Sequence, residues 1–151
     1  AKQTLGETRP EDPWLLPPAT YQDSGGAPVF RDIAPSLGLD VVGLSGGSVM
    51  EDFDGDGWLD LMTSSWGPEE QVRLFLQKSP GQFTEYTQAA GLTGITGGLN
   101  LLPADYDNDG RIDVLLLRGA WMEAFGELPN SLLRNLGEGR FEEVSWQAGL
   151  R

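Results

Sequence analysis

The nine residues Asp52-Phe53-Asp54-Gly55-Asp56-Gly57-Trp58-Leu59-Asp60 place four carboxylates on one short stretch, and Asp105-Tyr106-Asp107-Asn108-Asp109-Gly110-Arg111-Ile112-Asp113 repeats the pattern 53 residues later. Both read D-x-D-x-D-G-x-x-D, and together they hold eight of the twelve aspartates of the chain. Like charges packed this closely repel, so a loop of this kind needs a cation to close. A hard dication suits it, because Ca²⁺ takes about 6–8 oxygen ligands, carboxylates and backbone carbonyls among them. The pattern predicts ligands from Asp52, Asp54 and Asp56, from the backbone carbonyl of Trp58, and from Asp60 as the closing carboxylate. The second loop supplies the same set from Asp105, Asp107, Asp109, the Arg111 carbonyl and Asp113. Gly57 and Gly110 permit the sharp bend. One such stretch is also compatible with an acidic, solvated turn. Two copies with every Asp in place favour two Ca²⁺ sites.

A helix–loop–helix Ca²⁺ site shares the first six positions but needs Glu at the twelfth and helices on both sides. The twelfth residues here are Thr63 and Leu116, and the segments after the loops, Leu59–Thr63 and Asp113–Leu117, are short and β-prone. The expected unit is therefore strand–loop–strand. With 21 Gly, 10 Pro and only short apolar runs in 151 residues, the composition points to an all-β, turn-rich fold.

A second repeat runs through the same region. Phe30-x-Asp32-Ile33 leads to Gly38-Leu39, Phe83-x-Glu85-Tyr86 to Gly91-Leu92, and Phe141-x-Glu143-Val144 to Gly149-Leu150. Each reads as an outer strand, then a turn or helical kink, then Gly-Leu. The three Phe residues are expected to be core anchors. Between these copies lie two units of four short antiparallel strands, with the Asp loop between the first strand and the second. In the first unit the third strand, Val72–Gln77, sets Val72, Leu74 and Leu76 on one face. The expected organisation is an extended Pro-rich arm or linker over 1–28 and a two-blade β domain over 29–151. Blade one spans about 40–92 and blade two about 93–151, with one extra outer strand at Phe30. Units of this length suit propeller blades. Trp14, Leu15 and Leu16 in the arm are either a chance apolar spot or an anchor that docks on a surface. Trp121, Met122 and Phe125, in the insertion 119–129, either cover a blade edge or form a ligand-contacting rim.

The formal net charge of −13, with no basic stripe, argues against a nucleic-acid partner. The longest aliphatic run, Val114–Leu117, is far too short to span a bilayer. Gly43-Leu44-Ser45-Gly46-Gly47 matches a nucleophile elbow, but the chain has no His to activate Ser45 and no Cys for thiolate chemistry. Ser45-Gly46-Gly47 matches Thr96-Gly97-Gly98 in the next unit and is read as a strand-start turn. No Walker loop or dinucleotide fingerprint is present. The expectation is a non-enzyme. Ca²⁺ loops of this kind work where Ca²⁺ is millimolar, which points outside the cytosol. The start at Ala1 without Met fits a mature secreted form or a piece of a longer protein.

On these residues the sequence resembles the FG-GAP/VCBS repeat family, the blades of integrin-α-like β-propellers and of many secreted bacterial proteins. The two Asp nonapeptides, each after a Gly-Gly strand start, and the three F-x-[DE] strands carry the resemblance over roughly residues 28–151. The second half looks like bacterial members close to the cartilage-acidic-protein type. Phe-Gly-Gly-Ala-Pro itself is absent. The family closes rings of about seven blades, whereas two are legible here. The resemblance implies Ca²⁺ at both loops and a non-catalytic scaffold or adhesion role. Two units cannot close a ring, so the chain is expected either to self-associate, head to tail in a ring or filament, or to pair with neighbouring blades of a longer chain. The main expectation is a calcium-stabilised extracellular structural or adhesion protein. The alternative is a carbohydrate- or protein-binding fragment of a longer secreted propeller.

Overall fold

Period-2 patterning and turn residues cut the chain into short strands, and each Asp loop is the connection between two of them. The computed structural model describes residues 31–119 and 128–150. The chain divides into two compact units, 1–32 and 33–151, and every strand of the described residues lies in the second. The expected arm over 1–28 with Trp14, Leu15 and Leu16 lies outside the described residues. So do Phe30 and the insertion residues Trp121, Met122 and Phe125.

Among the described residues the fold is all-β, apart from one helical turn, and has two four-stranded antiparallel sheets. The first is a simple meander of β1 (Ser48–Glu51), β2 (Asp60–Thr63), β3 (Arg73–Ser79) and β4 (Gln82–Glu85). The second repeats it with β5 (Asn100–Ala104), β6 (Asp113–Leu117), β7 (Ser131–Gly137) and β8 (Arg140–Glu143). The register repeats too: Leu61 pairs with Phe75 as Val114 pairs with Leu133, and both outer hairpins carry an irregularity, at Gln77/Ser79 and at Asn135/Gly137. The first hairpin of each sheet holds the Asp loop, as the sequence predicts.

The two sheets share one core. Val49, Phe53, Met62, Val72, Leu74, Leu76, Ala90 and Leu92 pack with Leu101, Val114, Leu116, Leu133 and Phe141. The Phe53 and Phe141 rings meet edge to face at 5.5 Å between centroids, a geometry that adds to the gain from burial alone. A Cβ on Gly47 would stand 2.7 Å from the Leu101 nitrogen, so only glycine lets the start of β1 come this close to β5. The expected face of Val72, Leu74 and Leu76 is buried, and Phe75 is buried as well. The reason is position: β3 lies between β2 and β4, so period-2 alternation weakens there.

Two expectations need correction. The extra outer strand does not form over its described residues, Arg31–Ile33. Ile33, in a helical conformation, instead precedes a helical turn, α1 (Ala34–Leu37), with Pro at its start and Gly38 closing it in the left-handed region. Pro suits that first turn because its fixed φ is already helical and its missing N–H costs nothing there. Of the described Phe anchors, Phe141 is buried but Phe83 is only half-buried.

Candidate metal centre

Each Asp loop is held by bonds between its own carboxylates and its own backbone. Asp52 Oδ1 accepts the N–H groups of Gly55 (2.8 Å) and Asp56 (3.1 Å), and its Oδ2 accepts that of Gly57 (2.9 Å). Asp54 Oδ1 accepts from Asp56 (3.2 Å) and Asp56 Oδ1 from Trp58 (2.9 Å). The second loop repeats the scheme. Asp105 takes the N–H groups of Asp109 (3.0 Å) and Gly110 (2.9 Å), and Asp109 takes that of Arg111 (2.9 Å). Gly57 and Gly110 sit at φ +89° and +87°, in the left-handed region, as a bend of this sharpness requires.

This folding gathers the first, third and fifth aspartates of each loop. Asp52, Asp54 and Asp56 each offer an oxygen within 4.8 Å of the others, and so do Asp105, Asp107 and Asp109. The donor set is all oxygen, which selects hard cations such as Ca²⁺ over softer metals. Three carboxylates converging from one loop fit such an ion.

The ninth aspartates, Asp60 and Asp113, stand apart from the two trios. Each is buried beneath its loop and braces it from within. The Asp60 oxygens accept the N–H of Phe53 (2.9 Å) and of Gln77 (2.9 Å), which ties the loop to β3. Those of Asp113 accept Tyr106 (3.1 Å) and Asn135 (2.7 Å). Burial raises both carboxyls above the usual range, the backbone donors pull the other way, and the neighbouring loop carboxylates add to the rise. Trp58 and Arg111 lie on exposed positions of their loops.

Two cations already stand against the trios. Lys78, at the end of β3, pairs with Asp54 and lies 3.6 Å from Asp56, while Arg111 pairs with Asp109 within its own loop. The Lys78 ammonium is held protonated chiefly by its hydrogen bond to Asp54. At the matching place in the second sheet stands Leu136, so this arrangement belongs to the first loop alone. Neither Lys78 nor Asn135 is legible as a site residue in the sequence, because no motif marks them.

The two loops also lie close to each other. Asp52–Gly55 and Gly110–Ile112 line one cleft, with Asn135 at its wall. Ser45, in the stretch that matches a nucleophile elbow, is exposed, and the N–H of its neighbour Leu44 donates to the Glu70 carboxylate.

No curated protein matches the chain. The family model of the FG-GAP-like repeat matches residues 52–116, which hold both Asp loops and the strands between them. With the loop geometry and the repeated four-stranded meander beside that match, residues 52–116 are an FG-GAP-like repeat.

Proposed function

We propose that the chain is a Ca²⁺-stabilised, non-catalytic interaction protein that works outside the cell. One observation carries this reading: two consecutive loops bring three carboxylates each into one cluster. Asp52, Asp54 and Asp56 would hold one ion, and Asp105, Asp107 and Asp109 the other. A bound Ca²⁺ supplies charge neutralisation and draws each trio together. Asp60 and Asp113 hold the loops on their sheets, and Trp58 and Arg111 are the further positions from which a backbone carbonyl would complete each shell. Loops of this kind in extracellular modules bind in the millimolar range, which fits a role outside the cytosol. FG-GAP-like repeats are found in extracellular and adhesive domains, and that kinship supports a binding role. No helix among the described residues is long and apolar enough to cross a membrane.

Chelation tests the reading. Carboxylates a few ångströms apart repel by roughly 1 kcal/mol per pair even in a water-like dielectric. EDTA should therefore lower the melting temperature, millimolar Ca²⁺ should restore it, and Asp54→Asn with Asp107→Asn should abolish the difference. Identical melting curves with and without Ca²⁺, together with no Ca²⁺ by elemental analysis, would sink the proposal.

A further inference from the structure

The first sheet closes an ion pair that the second leaves apart. Arg73 on β3 meets both oxygens of Glu85 on β4, at 3.0 and 3.2 Å. In the second sheet Glu143 stands at the place of Glu85, but Ser131 stands at the place of Arg73. The cation enters instead just after β6, as Arg118, where the first sheet has Ser65. Neutral acceptors fix its guanidinium. Nε donates to the Thr96 carbonyl (2.6 Å), and Nη1 to the Pro129 carbonyl (2.8 Å) and the Ser131 hydroxyl (2.7 Å). Among the described residues Nη2 makes no hydrogen bond and the group forms no ion pair. Burial lowers its proton affinity, and Glu143 offsets this in part. In a chain of net charge −13, a half-buried guanidinium without a carboxylate partner is costly unless an anion completes it.

Glu143 is held in place too. Its Oε1 accepts the N–H and the hydroxyl of Ser145, while its Oε2 accepts no hydrogen bond among the described residues. Both charges line one cleft of about 630 Å³, with Ile95 and Leu150 as apolar walls and Trp146 beside them. Clefts of this size take small ligands. Trp146 is 74% exposed. Its counterpart is Gln88, because the Gly91 N–H donates to the Gln88 carbonyl as the Gly149 N–H does to that of Trp146. Gln88 is exposed as well, although the second sheet packs against the first. The position is therefore exposed in both repeats, and only the second fills it with an indole. The negative face of that ring attracts the weakly positive C–H groups of a saturated ring.

We propose that this cleft binds an acidic sugar, a uronate residue of a glycan, with its carboxylate on Arg118, a hydroxyl donating to Glu143 and a ring face on Trp146. The three groups ask for three chemistries in one ligand: a single negative charge, neutral O–H donors and an apolar ring face. A sulfate or phosphate dianion suits the cleft less, because Glu143 repels the second charge. The side-chain carboxylate of a peptide brings no hydroxyl for Glu143, and a lone zwitterionic amino acid leaves most of the volume unfilled. None of these groups belongs to an Asp loop, so the inference is independent of the bound ion.

Titration calorimetry of the full chain in Ca²⁺-saturated buffer tests it, with a galacturonate trisaccharide as the probe. The methyl ester of the same trisaccharide keeps the rings and hydroxyls and removes the charge. It should bind about tenfold more weakly or worse, as the loss of a charge-assisted hydrogen bond predicts. Trp146→Ala removes an exposed ring, so it should leave the melting curve unchanged and weaken the acidic probe by a similar factor. Arg118 itself is a poor first target, because its bonds to Thr96 and Pro129 also hold the fold. No binding of the acidic probe at millimolar concentration overturns the proposal, and so does equal binding of acid and ester. Binding indifferent to Trp146→Ala overturns it as well, and would place the carboxylate elsewhere, on a loop-bound ion for instance. An acidic peptide or free glutamate that binds as tightly, with the same dependence on Trp146, replaces the sugar as the ligand and ends the assignment.

Discussion

The side-chain amide of Asn135, on the second sheet, donates to the backbone carbonyl of Phe53, in the Asp loop of the first, at 3.1 Å. The same amide nitrogen donates to the Ile112 carbonyl at 3.1 Å, and the amide oxygen accepts the Gly137 N–H at 2.8 Å. One buried side chain thus ties both Asp loops and the β7–β8 turn together. Asn135→Leu keeps the heavy-atom count and branching of the side chain and removes all three bonds, so the Ile112 carbonyl and the Gly137 N–H lose these partners while the Phe53 carbonyl keeps the Gly139 N–H at 3.3 Å. Each such group costs about 1–3 kcal/mol, so urea unfolding should show a loss in at least that range. An Asn135→Leu variant as stable as the parent would mean that water satisfies these groups equally well.

The repeated Phe positions are not equivalent in energy. Phe141 is buried against Phe53, whereas Phe83 is half-buried. Phe141→Ala should cost about 3–5 kcal/mol, and Phe83→Ala clearly less. Denaturant midpoints of the two variants, measured with unchanged slope, settle the order. Equal losses would place Phe83 in a better-packed setting than its exposure indicates.

Much of this architecture is legible in the sequence because it is written twice. The Asp spacing places the loops, the shared offsets of the strands give the order β1 to β4 and β5 to β8, and Gly-Leu marks each outer turn. What the pattern hides is which partner each residue of the motif meets. Asp60 and Asp113 belong to the motif by type and spacing, yet their oxygens face backbone N–H groups of their own sheets, a distinction that depends on burial. Asn135 is invisible for another reason. Its carbonyl partner lies 82 positions away, and backbone carbonyls carry no signature in sequence. The strand expected at Arg31–Ile33 fails because Ala34-Pro35-Ser36 starts a helical turn, which local proline geometry favours over the repeat frame.

Glu70 gives the protein a local response to acid. Its carboxylate accepts the Ser65 hydroxyl and the Leu44 N–H, and these two bonds, in that order, lower its proton affinity below the ordinary value of 4.5. A depressed carboxylate contributes stability above its unfolded value and loses it as the pH falls through the lower, folded one. Acidification below about 4.5 should therefore release Leu44 before the sheets themselves open. Amide exchange at Leu44 should rise in that window, corrected for its intrinsic pH dependence, and Glu70→Gln should remove the transition. A Leu44 amide equally protected on both sides of the window would show that its bond to Glu70 is unimportant in solution.

Lys78 should make the two loops unequal toward Ca²⁺. Its ammonium pairs with Asp54 and stands 3.6 Å from Asp56, so an ion entering the first trio meets a positive charge already in place. The second trio has only Leu136 at the corresponding position, and its Arg111 pairs with the single carboxylate of Asp109. The Lys78 side chain is about half-exposed, so the charge acts through a water-like dielectric. Two unit charges about 4 Å apart then interact by about 1 kcal/mol, and a divalent ion by up to twice that. Lys78→Met should therefore tighten the first site by about fivefold or more, and Leu136→Lys should weaken the second by a similar factor. Titration calorimetry on both variants, with Asp107→Asn and Asp54→Asn backgrounds isolating one loop each, measures the two effects. If Lys78→Met leaves the first site unchanged, the ammonium swings clear when the ion binds and the asymmetry has another source.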